Sequence, residues 1–311
     1  MTAVPVALNL RIPHHLAEAS FEGLHEFMSL VEESPIDGVS VGDHVSFRDG
    51  TGYDGLIQAT ALATMSSRLR IWTAVYLLAL RHPVTVARQV SSLAALAPGR
   101  LAFGVGLGGD DPHELEVCGV DVRHRGRRFD AALDIVRPLL AGETVTADNP
   151  DFVVPAAVIR PTPSPPVPIV VGGRSDAALR RAGRVGDGWL GLWQSPERIA
   201  AAIDTVEASA AEHGRASDVR RYAYLVWCGL DPDRDAARSL VADAMERLYG
   251  RPFSSFERYT PAGTPEDVAA ALAPYMAAGI DEFILIGVAA EDTALVDRAA
   301  QVRERLTGLQ T

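Results

Sequence analysis

Apolar residues follow two spacings along this chain. Short continuous runs alternate with longer segments in which apolar positions recur every three or four residues, the pattern of buried parallel strands alternating with helices packed against them. The stretch 68–109 shows the unit most plainly. Leu69 to Leu78 is an apolar run rich in Ile, Trp, Val and Tyr, and Pro83 then starts a helix with Val86, Val90, Leu93 and Leu96 on one face. Pro98-Gly99 stops that helix, and Leu101 to Val105 runs into Gly104, Gly106, Gly108 and Gly109. That is a β-α-β unit.

The same alternation extends in both directions. Apolar runs at Pro5 to Leu10, Gly38 to Val41, Ile169 to Val171, Asp187 to Leu190, Arg221 to Leu230 and Ile280 to Ile286 read as further strands. Helical spacing marks Ser20 to Val31, Gly55 to Met65, Gly126 to Leu140, Asp176 to Val185, a helix from Ser195-Pro196, Asp233 to Leu248, a helix from Thr264, and Ala290 to Leu306. Asp110 to Arg125 reads as a polar loop. From Thr144 to Pro168 the alternation breaks, with Phe152 to Val154 and Val158-Ile159 as hairpin strands inside a proline-rich insertion. Eight strands, each followed by a helix, predict an α/β fold, a (β/α)8 TIM barrel with an insertion between the fourth helix and the fifth strand, in one domain over residues 1–311. A doubly wound sheet is the alternative.

Composition narrows the chemistry. The formal charge of −11 and a sequence pI near 5.2 argue against nucleic acid and anionic membranes as partners, leaving small molecules. With no secretory leader pattern and no apolar run of membrane length, the expected location is the cytoplasm. Cys118 and Cys228 are too few for a disulfide framework. All 29 basic residues are Arg, so Schiff-base, pyridoxal phosphate and P-loop chemistries, which need a lysine amine, are excluded. No metal site is expected, since His-x-His is missing from the first strand and H-E-x-x-H from the chain.

In a barrel, ligands sit at the C-terminal strand ends. Those ends gather Asn9, Arg11 and His14 from the first strand, Asp43 and His44 from the second, the Gly104 to Gly109 loop from the fourth, and Gly172 to Ser175 from the fifth. An Asp-His pair offers proton transfer near neutral pH, and the carboxylate can orient a ring or a ribityl hydroxyl. Gly172-Gly173-Arg174-Ser175 at a helix start has the makings of a phosphate site. His113-Glu114 reads as part of a polar loop near a helix start.

These residues resemble the luciferase-like monooxygenase superfamily of flavin and deazaflavin barrels. The matching motifs are Val41-Gly42-Asp43-His44, Arg81-His82-Pro83 with Ala87 and Gln89, Pro98-Gly99-Arg100-Leu101 running into Gly104-Val105-Gly106, and Arg125-Gly126-Arg127-Arg128. Gly172-Gly173, Ala182-Gly183, Gly186-Asp187-Gly188-Trp189 and Gly263-Thr264-Pro265-Glu266 follow in the family's order. The resemblance implies a cofactor ring at the barrel mouth and a non-proline cis peptide on strand three at Thr73-Ala74-Val75. It places Asp43 and His44 at the ring's reactive edge, Ala74 and Val75 beneath the ring, and Gly106, Leu107, Gly108, Gly109, Gly172, Gly173 and Arg174 around the ribityl phosphate.

On that resemblance the function expected is oxidoreduction with coenzyme F420, with hydride passing to or from a small organic substrate and His44 as general acid or base. The alternatives are an FMN-dependent monooxygenase fed by a separate reductase, and a flavin-binding barrel without catalysis. The family's sugar-phosphate dehydrogenases place a glutamate where Gly109 stands and use a lysine for the substrate phosphate, both missing here, which argues against glucose 6-phosphate. The resemblance also implies a homodimer, expected near the small-residue faces formed by Ala59, Ala61, Ala63, Ala87, Ala94 and Ala95.

Overall fold

In chain order the strands are β1 (Ala7–Arg11), β2 (Gly38–Val41), β3 (Arg70–Leu77), β4 (Leu101–Gly106), β5 (Val145–Asp148), β6 (Val153–Ala157), β7 (Ile169–Gly172), β8 (Gly188–Leu192), β9 (Arg221–Leu230), β10 (Ala262–Gly263) and β11 (Glu282–Val288). The helices are α1 (His14–Glu18), α2 (Phe21–Glu33), α3 (Gly55–Met65), α4 (Pro83–Leu96), α5 (Pro112–Val117), α6 (Arg125–Leu140), α7 (Asp176–Val185), α8 (Pro196–Glu212), α9 (Arg234–Tyr249), α10 (Pro265–Ala277) and α11 (Asp292–Gly308). The computed structural model describes residues 6–18, 21–48, 50, 52–108, 111–216, 218–219 and 221–310. Among them, no helix is long and apolar enough to cross a membrane. The contacts group the chain into two compact units, one of Met1–Ser40, Leu190–Asp204 and Arg221–Thr311, the other of Val41–Trp189 and Thr205–Arg220.

In the first unit the strands are parallel in the order β10-β9-β11-β1-β2. Leu8 and Leu10 of β1 are fully buried, and Asn9, on the opposite face, is buried too. Its amide donates to Glu282 Oε1 at 2.9 Å and to the Phe283 carbonyl at 3.3 Å, while Arg221 donates to Glu282 Oε2 at 2.9 Å. This polar chain fills space that alternating strand faces would otherwise give to hydrocarbon. Asn9 therefore belongs to the interior. Thr264 and Asp267 form the capping box that starts α10, as the Thr-Pro-Glu-Asp run foretells. The irregular segment from Gly250 to Ala262 is anchored by Phe253 and Phe256, which pack with Trp227, Val241 and Met245.

In the second unit the order is β3-β4-β7. Trp72, Tyr76, Phe103, Phe129 and Trp189 are its largest fully buried side chains. β3 slips register against β4 between Thr73 and Tyr76, and the Ala74–Val75 peptide within that slip is cis, at the position the resemblance indicated. Two sequence expectations need correction here. The hairpin of the insertion pairs β5 with β6, so Phe152 to Val154 leads into its second strand and Val158-Ile159 lies beyond it. The segment from Asp110 to Arg125 carries α5, because Asp111 caps the N-terminus through His113 N–H and Pro112 fits the first helical turn.

One buried acid sets a pH dependence. Burial pushes the Asp281 carboxyl up to about 6, against a hydrogen bond from Tyr222 N–H at 3.2 Å and with added push from Glu282. An unfolded aspartate titrates near ~3.9, so the folded state holds this proton more tightly. Its stabilisation is complete below that value and is lost as pH rises through 6. Asp281→Asn keeps an oxygen for Tyr222 and carries no charge. It is expected to raise unfolding free energy by roughly 2 kcal/mol at pH 8 and by almost nothing at pH 4. Urea denaturation at both pH values checks this, and equal shifts at the two would contradict it.

Candidate active site

The site grows from the end of β2, where Gly42, Asp43 and His44 leave the sheet. Asp43 is 3% exposed, and its carboxylate collects four donors. Gly55 N–H and Arg81 Nη2 reach Oδ1 at 2.9 and 2.8 Å, and Leu77 N–H and Arg81 Nη1 reach Oδ2 at 2.8 and 2.5 Å. Arg81 also donates to Asp54 at 3.1 Å and lies over the Tyr76 ring at 4.3 Å. Asp54 in turn caps α3 through the N–H groups of Leu56 and Ile57. Burial pushes the Asp43 carboxyl above the ordinary aspartate value, with Arg81 and the two main-chain donors acting the other way. Arg81, lowered by burial, is raised on balance by Asp43. Both oxygens of the carboxylate expected to orient a ring or a ribityl hydroxyl thus accept from protein donors.

His44 has a different environment. Its side chain is 29% exposed, and its Nδ1 lies 3.1 and 3.2 Å from the two oxygens of Glu114. Glu114, on α5, is buried and also accepts from Val45 N–H at 2.7 Å and Ser46 N–H at 3.3 Å. Burial pushes its carboxyl up, but the bonds from His44 and Val45 outweigh that, and the net displacement is downward. An ionised carboxylate only accepts, so Nδ1 is the nitrogen that donates to Glu114, and in the neutral imidazole that leaves the lone pair on Nε2. Among the described residues none bonds to Nε2. Phe47 packs on the imidazole with ring centres 4.2 Å apart, which limits rotation of the ring.

Glu114 is the residue that reading the sequence missed. The signal was present, since Asp111-Pro112 is a cap followed by a first-turn proline, and a helix there turns the acid two positions later inward. Arg81 appeared in a matching motif, yet its pairing with Asp43 was not foreseen.

The strand-end glycines have a packing explanation. A Cβ on Gly106 would lie 2.5 Å from Val75 Cγ2, and one on Gly172 would lie 3.0 Å from Val75 Cγ1. Val75 is wedged between the two strand ends, which is reason enough for both glycines. Gly173 adopts φ of 137°, and a Cβ there would meet that of Ala178 at 2.7 Å, so α7 packing also requires glycine at this position. Ala74 is buried, Leu107 is half-buried and Gly108 is exposed. Gly109 lies outside the described residues. Arg174 and Ser175 are exposed at the start of α7, where Ser175 caps the helix by accepting from Ala178 N–H. A helix of this length leaves further first-turn N–H groups for an anion. His14 and His15 lie apart from these residues in the chain, and His15 pairs with Asp292 on α11.

Arg81→Met strips the Asp43 carboxylate of its two charged donors while leaving it buried. A loss of about 3–5 kcal/mol in unfolding free energy is expected by urea denaturation. A loss under about 1 kcal/mol would mean that the pair is solvated.

The model of the family described as luciferase-like monooxygenase matches residues 4–310. An uncharacterised protein of Mycobacterium tuberculosis is 37% identical over 172 residues, which is 55% of this chain and spans only 59% of that relative's length. An F420-dependent glucose-6-phosphate dehydrogenase of Kribbella flavida is 28% identical over 315 residues, covering 90% of this chain and 93% of the relative. Among solved structures, an F420-dependent secondary alcohol dehydrogenase in complex with an F420-acetone adduct gives a TM-score of 0.82 at 20% identity, covering 97% of this chain and 99% of the other. That likeness shows the (β/α)8 barrel fold. With strands, helices and site residues in place and a family match running nearly end to end, the chain belongs to the luciferase-like monooxygenase family.

Proposed function

We propose that the protein is an oxidoreductase that uses coenzyme F420 to move a hydride to or from a small organic substrate. The observation that carries this reading is His44 at the end of β2, its Nδ1 held by a buried carboxylate and its Nε2 unengaged by the described residues. An imidazole so held exchanges one proton at one atom, which is what the oxidation of an alcohol or the reduction of a carbonyl requires beside a hydride. Relatives named for F420 support the choice of cofactor.

The residues present fit that cofactor. Arg174, Ser175 and the first-turn N–H groups of α7 offer an anion site of the kind a cofactor phosphate needs. Val75, set between Gly106 and Gly172, gives an apolar floor at the strand ends. When bound, the deazaflavin supplies the hydride donor or acceptor at C5. His44 Nε2 takes or returns the accompanying proton, and Glu114 stays ionised beside it. Asp43 serves as the anchor of the β2 end, with no proton role. Glucose 6-phosphate is not the substrate proposed, because the chain offers no lysine for a phosphate ester.

Parallel titrations with F420 and FMN test the cofactor, and tighter binding of F420 is expected. A preference for FMN would overturn it. His44→Ala is expected to lower turnover roughly 10²–10⁴-fold with cofactor affinity nearly unchanged. An unaffected rate would remove His44 from the reaction.

For assembly, we propose a homodimer through α3 and α4. The support differs from the expected alanine faces, because Ala59, Ala63, Ala87 and Ala94 are buried in the chain's own core. What the two helices present outward is a groove with Leu56, Ile57, Thr60, Leu93 and Leu96 along it and Arg88, Gln89 and Ser92 at its side, with Ile57 and Leu96 exposed by 69% and 59%. Unpaired side chains of that size favour burial against a second surface. Light scattering at micromolar concentration is expected to give a dimer mass for the natural protein and a monomer mass for Ile57→Glu. A monomeric natural protein would contradict the proposal.

A further inference from the structure

The loop that carries His44 is held from outside by one short helix. Two acids of α5 and its cap, three residues apart, take its main-chain donors: Glu114 Oε1 accepts from Val45 N–H at 2.7 Å and Ser46 N–H at 3.3 Å, and Asp111 Oδ2 accepts from Arg48 N–H at 2.7 Å. His44 N–H itself donates to the Tyr53 carbonyl at 3.1 Å. The loop backbone is therefore tied at 44, 45, 46 and 48. Holding a loop accounts for one oxygen of Glu114. Its other oxygen, Oε2, has one donor among the described residues, His44 Nδ1 at 3.1 Å.

We propose that Glu114 is a positioning residue for the reaction, acting through His44. This rests on the reading of His44 as the proton carrier. Glu114 fixes the Nδ1–H tautomer, so that Nε2 is the atom with a lone pair. When Nε2 takes a proton from a substrate hydroxyl, the O–H bond breaks and the N–H bond forms; with F420 bound, the neighbouring C–H bond would break as the C=O bond forms, its hydrogen and electron pair passing as hydride to the deazaflavin. The imidazolium that results carries its new charge next to a carboxylate already in place, so no group has to reorganise to balance it. In the reverse direction the same atom returns the proton. Phe47 and Glu114 together leave the ring one orientation.

A purely structural Glu114 and a positioning Glu114 respond differently to Glu114→Gln. Val45 N–H and Ser46 N–H both point at the Oε1 position, so the glutamine carbonyl oxygen belongs there and loop anchoring survives. The amide nitrogen then occupies the other position and donates to Nδ1. Nδ1 lies 3.1 Å from that nitrogen position and 3.2 Å from the retained oxygen, so the shorter contact now favours the proton on Nε2 and withdraws the lone pair from the reacting side. The expected result is a fall in kcat of roughly 10²–10⁴-fold, with KM and thermal midpoint close to those of the natural protein.

The deciding readout is long-range ¹H–¹⁵N NMR on protein labelled at histidine, with the His44 signal assigned by its loss in His44→Ala. Natural protein is expected to show Nδ1–H at neutral imidazole, and Glu114→Gln to show Nε2–H. An Nε2–H tautomer in the natural protein overturns the proposal, and this holds even where the variant fails to fold. An unchanged kcat in Glu114→Gln overturns it as well. The spectra need no cofactor, so failure of F420 to bind would remove the cofactor reading and leave the tautomer result standing.

Discussion

A carboxylate taken out of water must find donors for both oxygens inside the protein, and at Asp43 that requirement organises the surrounding chain. Its four N–H partners come from the start of α3, the end of β3 and the arginine that precedes α4. Desolvating the pair costs several kcal/mol per ion before attraction and hydrogen bonding offset it. The arrangement is therefore a poor source of net stability but a strict one of position. Any shift of one segment leaves a buried oxygen or guanidinium short of a partner. His44 follows Asp43 by one residue, so its place is set by bonds it does not itself make.

The acids on either side of that loop have opposite electrostatic settings. Asp43, almost fully enclosed, is displaced upward by burial, whereas Glu114 gathers enough hydrogen bonds to be displaced downward. Environment rather than residue type divides the tasks: both acids hold backbone N–H groups, but one also pairs with a guanidinium and the other with an imidazole. The histidine between them needs no unusual surroundings of its own to become directional.

How much could be read from the chain depended on the range of the interactions. Strand and helix positions followed from apolar spacing because each is decided within a few turns, and β9 and the Thr264 capping box agree closely with that reading. Asp43 and His44 were visible as a strand-end pair. What they bond to was not, since Arg81 and Glu114 lie 38 and 70 residues further along and nothing local announces a pairing at that distance. The glycines show a different limit. Their clustering looked like a ligand signature, while the immediate reason for Gly106 and Gly172 is the volume of Val75, a residue whose position depends on the irregular course of β3. The hairpin strands were displaced because Phe152 is buried by its ring while the pairing itself begins at Val153.

The contact between His44 and Glu114 also bears on the usual bargain between activity and robustness. Residues at reactive centres are commonly a burden on the folded state, and blunting them tends to make a protein sturdier. Here the imidazole is one of the donors that make a buried carboxylate tolerable. Shortening it leaves that charge with only main-chain partners and an empty space beside it. Selection for thermal endurance and selection for turnover thus press on this position in the same direction, so drift toward a sturdier but inert barrel has no easy entry through His44.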